Sequence, residues 1–299
     1  MTSTAPRCGL VAIVGRPNVG KSTLLNAVLG QKISITSRKP QTTRYQILGV
    51  HTVAGTQLVF VDTPGWQRHP RNQLNRLMNR QINQALSDVD YVVMLCDARG
   101  WHGDDELVVQ MVEQADKPAV LVINKHDMLR TKGSLLPLIA SVTAAHPGFD
   151  AVFPLCARTG NGLDTLLEHL LAHMPEREHL FPPEQLTNRS ERFLCGEIIR
   201  EKTMRYLGDE LPYRTSVMID DFKDEEGLTR IIATVWVERD SQKSIVIGKS
   251  GALMKKIASD ARRDIESLLE RKVFLTVWVK TKRGWTDSAD ALHQIGLSD

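Results

Sequence analysis

Eight residues constrain this chain more than any other feature: Gly15-Arg16-Pro17-Asn18-Val19-Gly20-Lys21-Ser22. They follow an apolar run, Leu10–Val14, and lead into a helical pattern, Ser22–Leu29. A glycine-rich turn between a buried strand and a helix points backbone N–H groups at an anion, and the helix N-terminus adds positive potential. In that setting the spacing GxxxxGK[ST] predicts a polyphosphate site. Lys21 reaches the β- and γ-phosphates, and the Ser22 hydroxyl ligates Mg²⁺.

The rest of the first half agrees with a sheet behind such a loop. Leu58–Val61, Tyr91–Cys96, Val120–Ile123 and Val152–Leu155 are short and apolar throughout, as strands buried on both faces are. Helical patterns separate several of them, at Asn75–Leu86, Asp104–Gln114 and Leu163–His173. The alternation predicts an α/β domain with a mostly parallel sheet covered on both faces, and ligands beyond the C-terminal strand ends. Pro175, Pro182 and Pro183 among charged residues mark an extended connection. The expected division is residues 1–174, a linker at 175–188, and a second domain at 189–299.

At 299 residues the chain is long enough for two such domains without disulfides or structural metal. Cys8, Cys96, Cys156 and Cys195 have no metal-binding spacing and read as reduced thiols in a cytosolic protein. No apolar run approaches the roughly 20 residues of a membrane-spanning helix. The stretch Met1–Arg7 has no apolar region of a targeting signal, and neither end carries a lipidation motif.

Three further segments specify the nucleotide. Asn124-Lys125-His126-Asp127 follows the strand Val120–Ile123. A carboxylate at Asp127 can accept from the N1–H and exocyclic amine of guanine, whereas adenine would leave it desolvated and unpaired. Lys125 can lie along the base, and Asn124 can pair with the base or tie loops together. Asp62-Thr63-Pro64-Gly65 closes the strand Leu58–Val61. Asp62 is placed to hold Mg²⁺ through water, and the Gly65 amide to sense the γ-phosphate. Upstream, the polar stretch Ser34–Arg44 reads as a mobile loop whose Thr43, favoured over Thr42, completes the Mg²⁺ shell when the triphosphate is bound.

These four elements in this order resemble the TRAFAC-type GTPases and, within them, the Era family. A fifth element, usually Ser-Ala, stands here as Cys156-Ala157; its backbone amide can still reach the guanine carbonyl, and the Cys156 side chain is expected to pack as a small hydrophobe. Where Ras-like relatives carry a water-orienting glutamine, this chain has Trp66, which cannot polarise water and is expected to pack the switch. Hydrolysis is therefore expected to be slow. Asn18 resembles the asparagine with which potassium-activated relatives bind K⁺ near the phosphates; the other reading is that it braces the loop. By resemblance Lys21, Thr43, Gly65 and Asn18 carry catalysis.

The second half has a different grammar. A helical stretch (Ser190–Leu207), two alternating strands (Tyr213–Asp220 and Thr229–Glu238), a short helix, a longer one (Ala252–Leu269) and a last strand (Lys272–Lys280) follow one another. Gly248-Lys249-Ser250-Gly251 separates the two short-spaced helices. This α-β-β-α-α-β order with GxxG resembles a type II KH domain of α+β class, which clamps about four single-stranded nucleotides. From Arg239 to Arg283 the chain carries twelve basic residues against five acidic ones, although over the span from Gln185 onward the two nearly cancel. The excess is local, as in a groove, and makes Lys255 and Lys256 candidates alongside the loop. Trp236 and Trp278 are expected to pack.

The resemblance implies a GTP-hydrolysing switch that binds the 3′ end region of 16S ribosomal RNA and assists assembly of the small (30S) ribosomal subunit. It also implies a cytoplasmic monomer with peripheral association with the inner membrane. Two other classes compete: an RNA-binding module with little turnover, and a P-loop kinase or NTPase of another kind. Neither explains why Lys21, Ser22, Asp62 and the Asn-Lys-x-Asp segment occur together.

Overall fold

A computed structural model describes residues 5–297 apart from Arg71, Arg130 and Asp209; the first four residues of the N-terminal stretch lie outside it. The chain divides into two compact units. Among the described residues, the first comprises those up to 34, 43–69 and 78–188, and the second those at 35–42, 70–77 and from 189 onward.

In the first unit the strands are β1 (Arg7–Val14), β2 (Ile47–Val53), β3 (Thr56–Asp62), β4 (Tyr91–Asp97), β5 (Ala119–Asn124) and β6 (Ala151–Leu155). Their order is β2-β3-β1-β4-β5-β6, with β2 antiparallel to β3 and every other pair parallel. Strand β1 shows why both faces are covered. Val11 and Ile13 enter one apolar cluster with α1 (Lys21–Leu29) and α5 (Leu163–His173), while Ala12 and Val14 enter the other with α2 (Gln73–Asp88), α3 (Gly103–Ala115) and α4 (Leu135–Ala145). Because the strands are parallel, Gly15, Asp62, Asp97, Asn124 and Cys156 all follow or end strands at one edge.

Two elements were not legible from apolar runs. Strand β2 breaks its apolar run with Gly49, His51 and Thr52, and α4 is apolar nearly throughout with Pro137 in its first turn, so neither shows a clear period. The segment 175–188 is also no free connection. Leu180 and Phe181 N–H groups donate to Gln57 Oε1 at 2.9 and 3.0 Å, and the Thr187 hydroxyl donates to the Leu48 carbonyl at 2.7 Å. Its backbone polar groups find partners along the β2–β3 hairpin, which is why it does not behave as a spacer.

In the second unit, α6 (Glu191–Tyr206) precedes a sheet of order β7-β8-β9, made of β7 (Ser216–Glu225), β8 (Leu228–Val237) and β9 (Lys272–Thr281). Strands β7 and β8 are antiparallel, β8 and β9 parallel. Helices α7 (Asp240–Ile247) and α8 (Ala252–Leu269) interrupt β8 and β9 in sequence, and Val246, Ile257, Ala261 and Ile265 pack with α6 on one face of the sheet. The strand expected at Tyr213–Asp220 starts three residues later. Pro212 instead seeds a 3₁₀ turn over Leu211–Arg214, and a bulge at Asp220 carries the strand on to Glu225. The C-terminal segment, with fully buried Trp285 and α9 (Ala289–Gln294), adds ordered structure after the last strand expected from the sequence.

Candidate nucleotide site and nucleic-acid interface

Lys21 opens α1 at the end of the glycine-rich turn, and its ammonium donates to the carbonyls of Gly15 and Arg16 at 2.9 and 3.1 Å. Burial lowers its pKa to about 8, against the opposing pull of Asp62. Around it the loop is pinned from outside. The Arg16 guanidinium Nε contacts both oxygens of fully buried Asp105 on α3 at 3.1 Å. Val19 is buried, Pro17 half-buried and Asn18 exposed with a left-handed φ of 65°.

One residue downstream, the Ser22 hydroxyl lies 2.7 Å from Thr43 Oγ1 and donates to Asp62 Oδ2 at 2.8 Å. The Ser34 hydroxyl donates to the same Asp62 oxygen at 2.8 Å. The other oxygen of Asp62 is buried and has no hydrogen-bond partner among the described residues. Burial raises the pKa of this carboxyl, opposed by Ser22, Ser34 and Lys21. Two hydroxyls and a fully buried carboxylate with an unsatisfied oxygen form a hard-oxygen donor set of the kind Mg²⁺ takes. Thr42, by contrast, turns its hydroxyl to Ser37 and to the Lys39 carbonyl, at 2.7 and 2.6 Å.

Beyond Asp62 the chain runs against the glycine-rich turn. Thr63 Oγ1 donates to the Ile13 carbonyl at 2.8 Å, and Pro64 is buried. A Cβ on Gly65 would stand 2.8 Å from Pro17 Cγ and 2.9 Å from its Cα, so any side chain there would push the two loops apart. Trp66 packs against the apolar cluster around β4 and α3, as expected. Its indole nitrogen is buried without a partner among the described residues.

The base-reading segment is organised by Asn124. Its Nδ2 donates to the Val19 carbonyl at 2.8 Å, while its Oδ1 accepts from the backbone N–H groups of Lys125 at 2.8 Å and Ala157 at 3.0 Å. One buried amide thus joins three loops, which is the tying role of the two open to it. Lys125 Nζ donates to Asp97 Oδ2 at 2.9 Å and to the Asn18 carbonyl. Burial alone would raise the Asp97 carboxyl, but hydrogen bonds from Arg99 and Lys125 outweigh it and hold the group well below its usual range. His126 Nε2 lies 3.1 Å from Asn161 Oδ1. Asp127 is held below the usual carboxylate range by a hydrogen bond from the Cys156 thiol and by Arg158, 2.8 Å away. Cys156 and Ala157 are buried, and Cys156 does more than pack.

The stretch Ser34–Arg44, expected as mobile, is held in place. Ser34, Thr42, Thr43 and Arg44 are buried. Residues 35–42 belong to the second unit, where α6 binds them: Glu201 accepts from the Thr36 N–H at 3.0 Å, Arg205 donates to the Thr36 carbonyl at 3.1 Å, and buried Arg200 donates to the Thr42 carbonyl. Arg200 is paired with Glu197 on the same helix, Nε to Oε1 at 2.7 Å.

In the second unit the GxxG turn links α7 to α8. Gly248 has φ 75°, and a Cβ there would meet the backbone N of Leu253 at 3.0 Å; Gly251 has open space around it. Lys249, Ser250, Lys255 and Lys256 are exposed, and Lys256 Nζ lies 4.8 Å from the Tyr206 ring centroid. Ile245, exposed on α7 just before the turn, was missed because a lone isoleucine in a helical pattern reads as core. Arg16–Asp105, Lys125–Asp97 and Arg158 were missed for another reason: ion pairs between distant segments leave no local signature.

Trp278 corrects an expectation. It is 57% exposed, whereas Trp236 is 5% exposed beneath Lys282.

Comparison with known proteins agrees with both units. Residues 10–125 match the family described as 50S ribosome-binding GTPase, and residues 210–286 match the KH domain. The chain is 48% identical to GTPase Era of Pseudomonas savastanoi pv. phaseolicola over 297 residues, covering 99% of each. It is 49% identical to GTPase Era of Coxiella burnetii over 292 residues, covering 98% of each. Among solved structures, Era in complex with MgGDPNP and nucleotides 1506–1542 of 16S ribosomal RNA matches at a TM-score of 0.95, with 36% identity, 98% of this chain and 100% of that one covered. An Aquifex aeolicus Era variant bound to GDP and AlF4⁻ matches at 0.94, with 37% identity and the same coverage.

Proposed function

Given that the chain belongs to the Era family of GTPases, we propose that its GTP cycle governs a grip on the 3′ end region of 16S ribosomal RNA during assembly of the small (30S) subunit. The chain is a GTPase, with GTP as substrate and water as nucleophile. The observation that carries the nucleotide reading is Asp62, fully buried with one oxygen unpartnered beside the hydroxyls of Ser22 and Thr43.

Mg²⁺ would be held by Ser22 Oγ and Thr43 Oγ1, with Asp62 acting through water. When bound, it neutralises charge between the β- and γ-phosphates. Lys21 turns its ammonium from the carbonyls of Gly15 and Arg16 to the phosphates. The Gly65 N–H, close to Pro17, reports the γ-phosphate, and Asp127 reads guanine on loops that Asn124 holds together. Trp66 offers no group to orient water, so turnover is slow unless another charge assists. Asn18 is our candidate ligand for an assisting K⁺, by its place in the glycine-rich turn between Pro17 and Val19.

For RNA, Gly248, Lys249, Ser250 and Gly251 form the backbone clamp, with Lys255 and Lys256 beside it. The same reading makes the chain a cytoplasmic monomer with peripheral contact to the inner membrane; among the described residues no helix is long and apolar enough to cross one. The test is Gly251→Asp read against Gly251→Ala, which carries the same backbone strain at φ 77° without the charge; the carboxylate stands in open space where phosphates must come. Affinity for the 16S 3′ end, measured by anisotropy, is expected to fall at least about tenfold, with intrinsic GTP hydrolysis near normal. Parental affinity in the variant, or equal RNA affinity of the GTP- and GDP-bound protein, would overturn the clamp or the switch respectively.

A further inference from the structure

Strand β9 is a free edge of its sheet, and its alternation sorts its side chains onto two faces. Val273 and Val279 point into the core under α6 and α8. The opposite row reads Lys272, Phe274, Thr276, Trp278, Lys280. Phe274 is 50% and Trp278 57% exposed, although Trp236, two residues further along the adjacent strand than Trp278's partner Thr234, is covered. Two large rings left open on one row are unusual for a surface with no use for them. A strand rises about 3.3 Å per residue, so the rings stand roughly 13 Å apart, far enough that each can meet a different base.

Along the β9 row itself the charges have one sign. Lys272 and Lys280 are exposed at either end of the row, and the Arg230 guanidinium on β8 lies 5.0 Å from the Phe274 ring centroid. Neither this row nor its neighbours on β8 include an acid. The nearest acids, on β7, are engaged: Asp220 accepts from Thr234, Asp221 pairs with Lys223, and Glu225 pairs with Arg230. Aromatic faces interleaved with cations are the physical recipe for sequence-tolerant binding of single strands.

We propose that the outer row of β9 is a second RNA contact, where unpaired bases stack on Phe274 and Trp278 while Lys272 and Lys280 meet the adjoining phosphates. The GxxG turn joins helices packed on the inner face of the sheet, so one strand of RNA reaches both sites by passing round the free edge of β9. The proposal rests on the RNA-binding reading above but uses different residues.

The test uses the full chain and a labelled RNA of nucleotides 1506–1542 of 16S ribosomal RNA. Phe274→Ala/Trp278→Ala is expected to bind at least about tenfold more weakly, with the salt dependence unchanged because stacking releases no counterions. Lys272→Ala/Lys280→Ala should flatten the slope of log affinity against log salt by about 1.4, two phosphates' worth. Both pairs are exposed, and an unchanged thermal melt followed by circular dichroism would show that the variants fold. If Gly251→Asp loses affinity while the aromatic variant keeps it to within about twofold, the platform is wrong and the clamp stands. If the parent does not bind this RNA, both readings fall. Should the parent self-associate in sedimentation and the aromatic variant not, with RNA affinity unaltered, the row is a protein contact and the proposal is refuted.

Discussion

Asn124→Ala removes no group assigned to the base or the phosphates, yet it should cripple nucleotide binding. The alanine methyl cannot accept from the N–H groups of Lys125 and Ala157, nor donate to the Val19 carbonyl. Ala157 is buried, so its orphaned N–H costs about 1–3 kcal/mol, and the two other lost bonds about 1 kcal/mol each. The sum, about 3–5 kcal/mol, is divided between folding and binding, because the freed loops can relax toward water when no nucleotide orders them. With half or more of the loss on binding, titration calorimetry with GDP should show an affinity at least about tenfold weaker. The parallel titration is with inosine diphosphate, which lacks the exocyclic amine. A residue acting through the loops weakens both nucleotides by the same factor. The reasoning is refuted if the variant binds GDP within about threefold of the parent. It is equally refuted if the loss falls on guanine alone, since Asn124 would then touch the base.

Other outcomes follow from the same geometry. Asp127→Asn should weaken GTP on the order of 10²-fold and shift preference toward xanthosine nucleotides, whose 2-oxo group accepts; competition binding that still favours GTP would remove Asp127 from the site. Replacing Na⁺ by K⁺ at constant ionic strength should raise GTP hydrolysis, and Asn18→Ala should abolish the difference; equal rates of the parent in the two salts would dismiss the K⁺ role. Lys21, with its pKa lowered to about 8, loses its proton above that pH in the free protein, whereas bound phosphates restore the charge. GDP affinity should therefore be flat near pH 7 and fall by up to about tenfold per unit above pH 8, with proton uptake on binding at pH 9. Calorimetry in buffers of different ionisation enthalpy that detects no uptake there would show that Lys21 stays charged.

How much of this was legible depended on the range of the signal. Gly15 to Ser22 and Asn124 to Asp127 are contiguous, and the physical reason for each residue lies within its own turn. Their placement at one sheet edge follows from parallel strands alone. The ion pair of Arg16 with Asp105 spans 89 residues, and no periodicity announces it. Alternation identifies β9 as a strand but carries no information about which face is covered, so it cannot separate exposed Trp278 from buried Trp236. The polarity of Ser34–Arg44 suggested mobility. Polar side chains also make hydrogen bonds, and those to Asp62 and to Glu201 hold this stretch.

The peptide bond between Thr42 and Thr43 has a practical bearing on how the molecule can be dissected. Residue 42 closes a segment bound by Arg200, Glu201 and Arg205, while residue 43 sits on Ser22. A fragment ending at Asn188 would keep every nucleotide motif but discard the guanidinium that holds the Thr42 carbonyl and the carboxylate that holds the Thr36 amide. Its 35–42 segment would be released to water, and the entropy of that release would be charged to the ordering of Thr43. Turnover of such a fragment would describe a differently tethered threonine, so it cannot serve as the unregulated baseline of the intact chain.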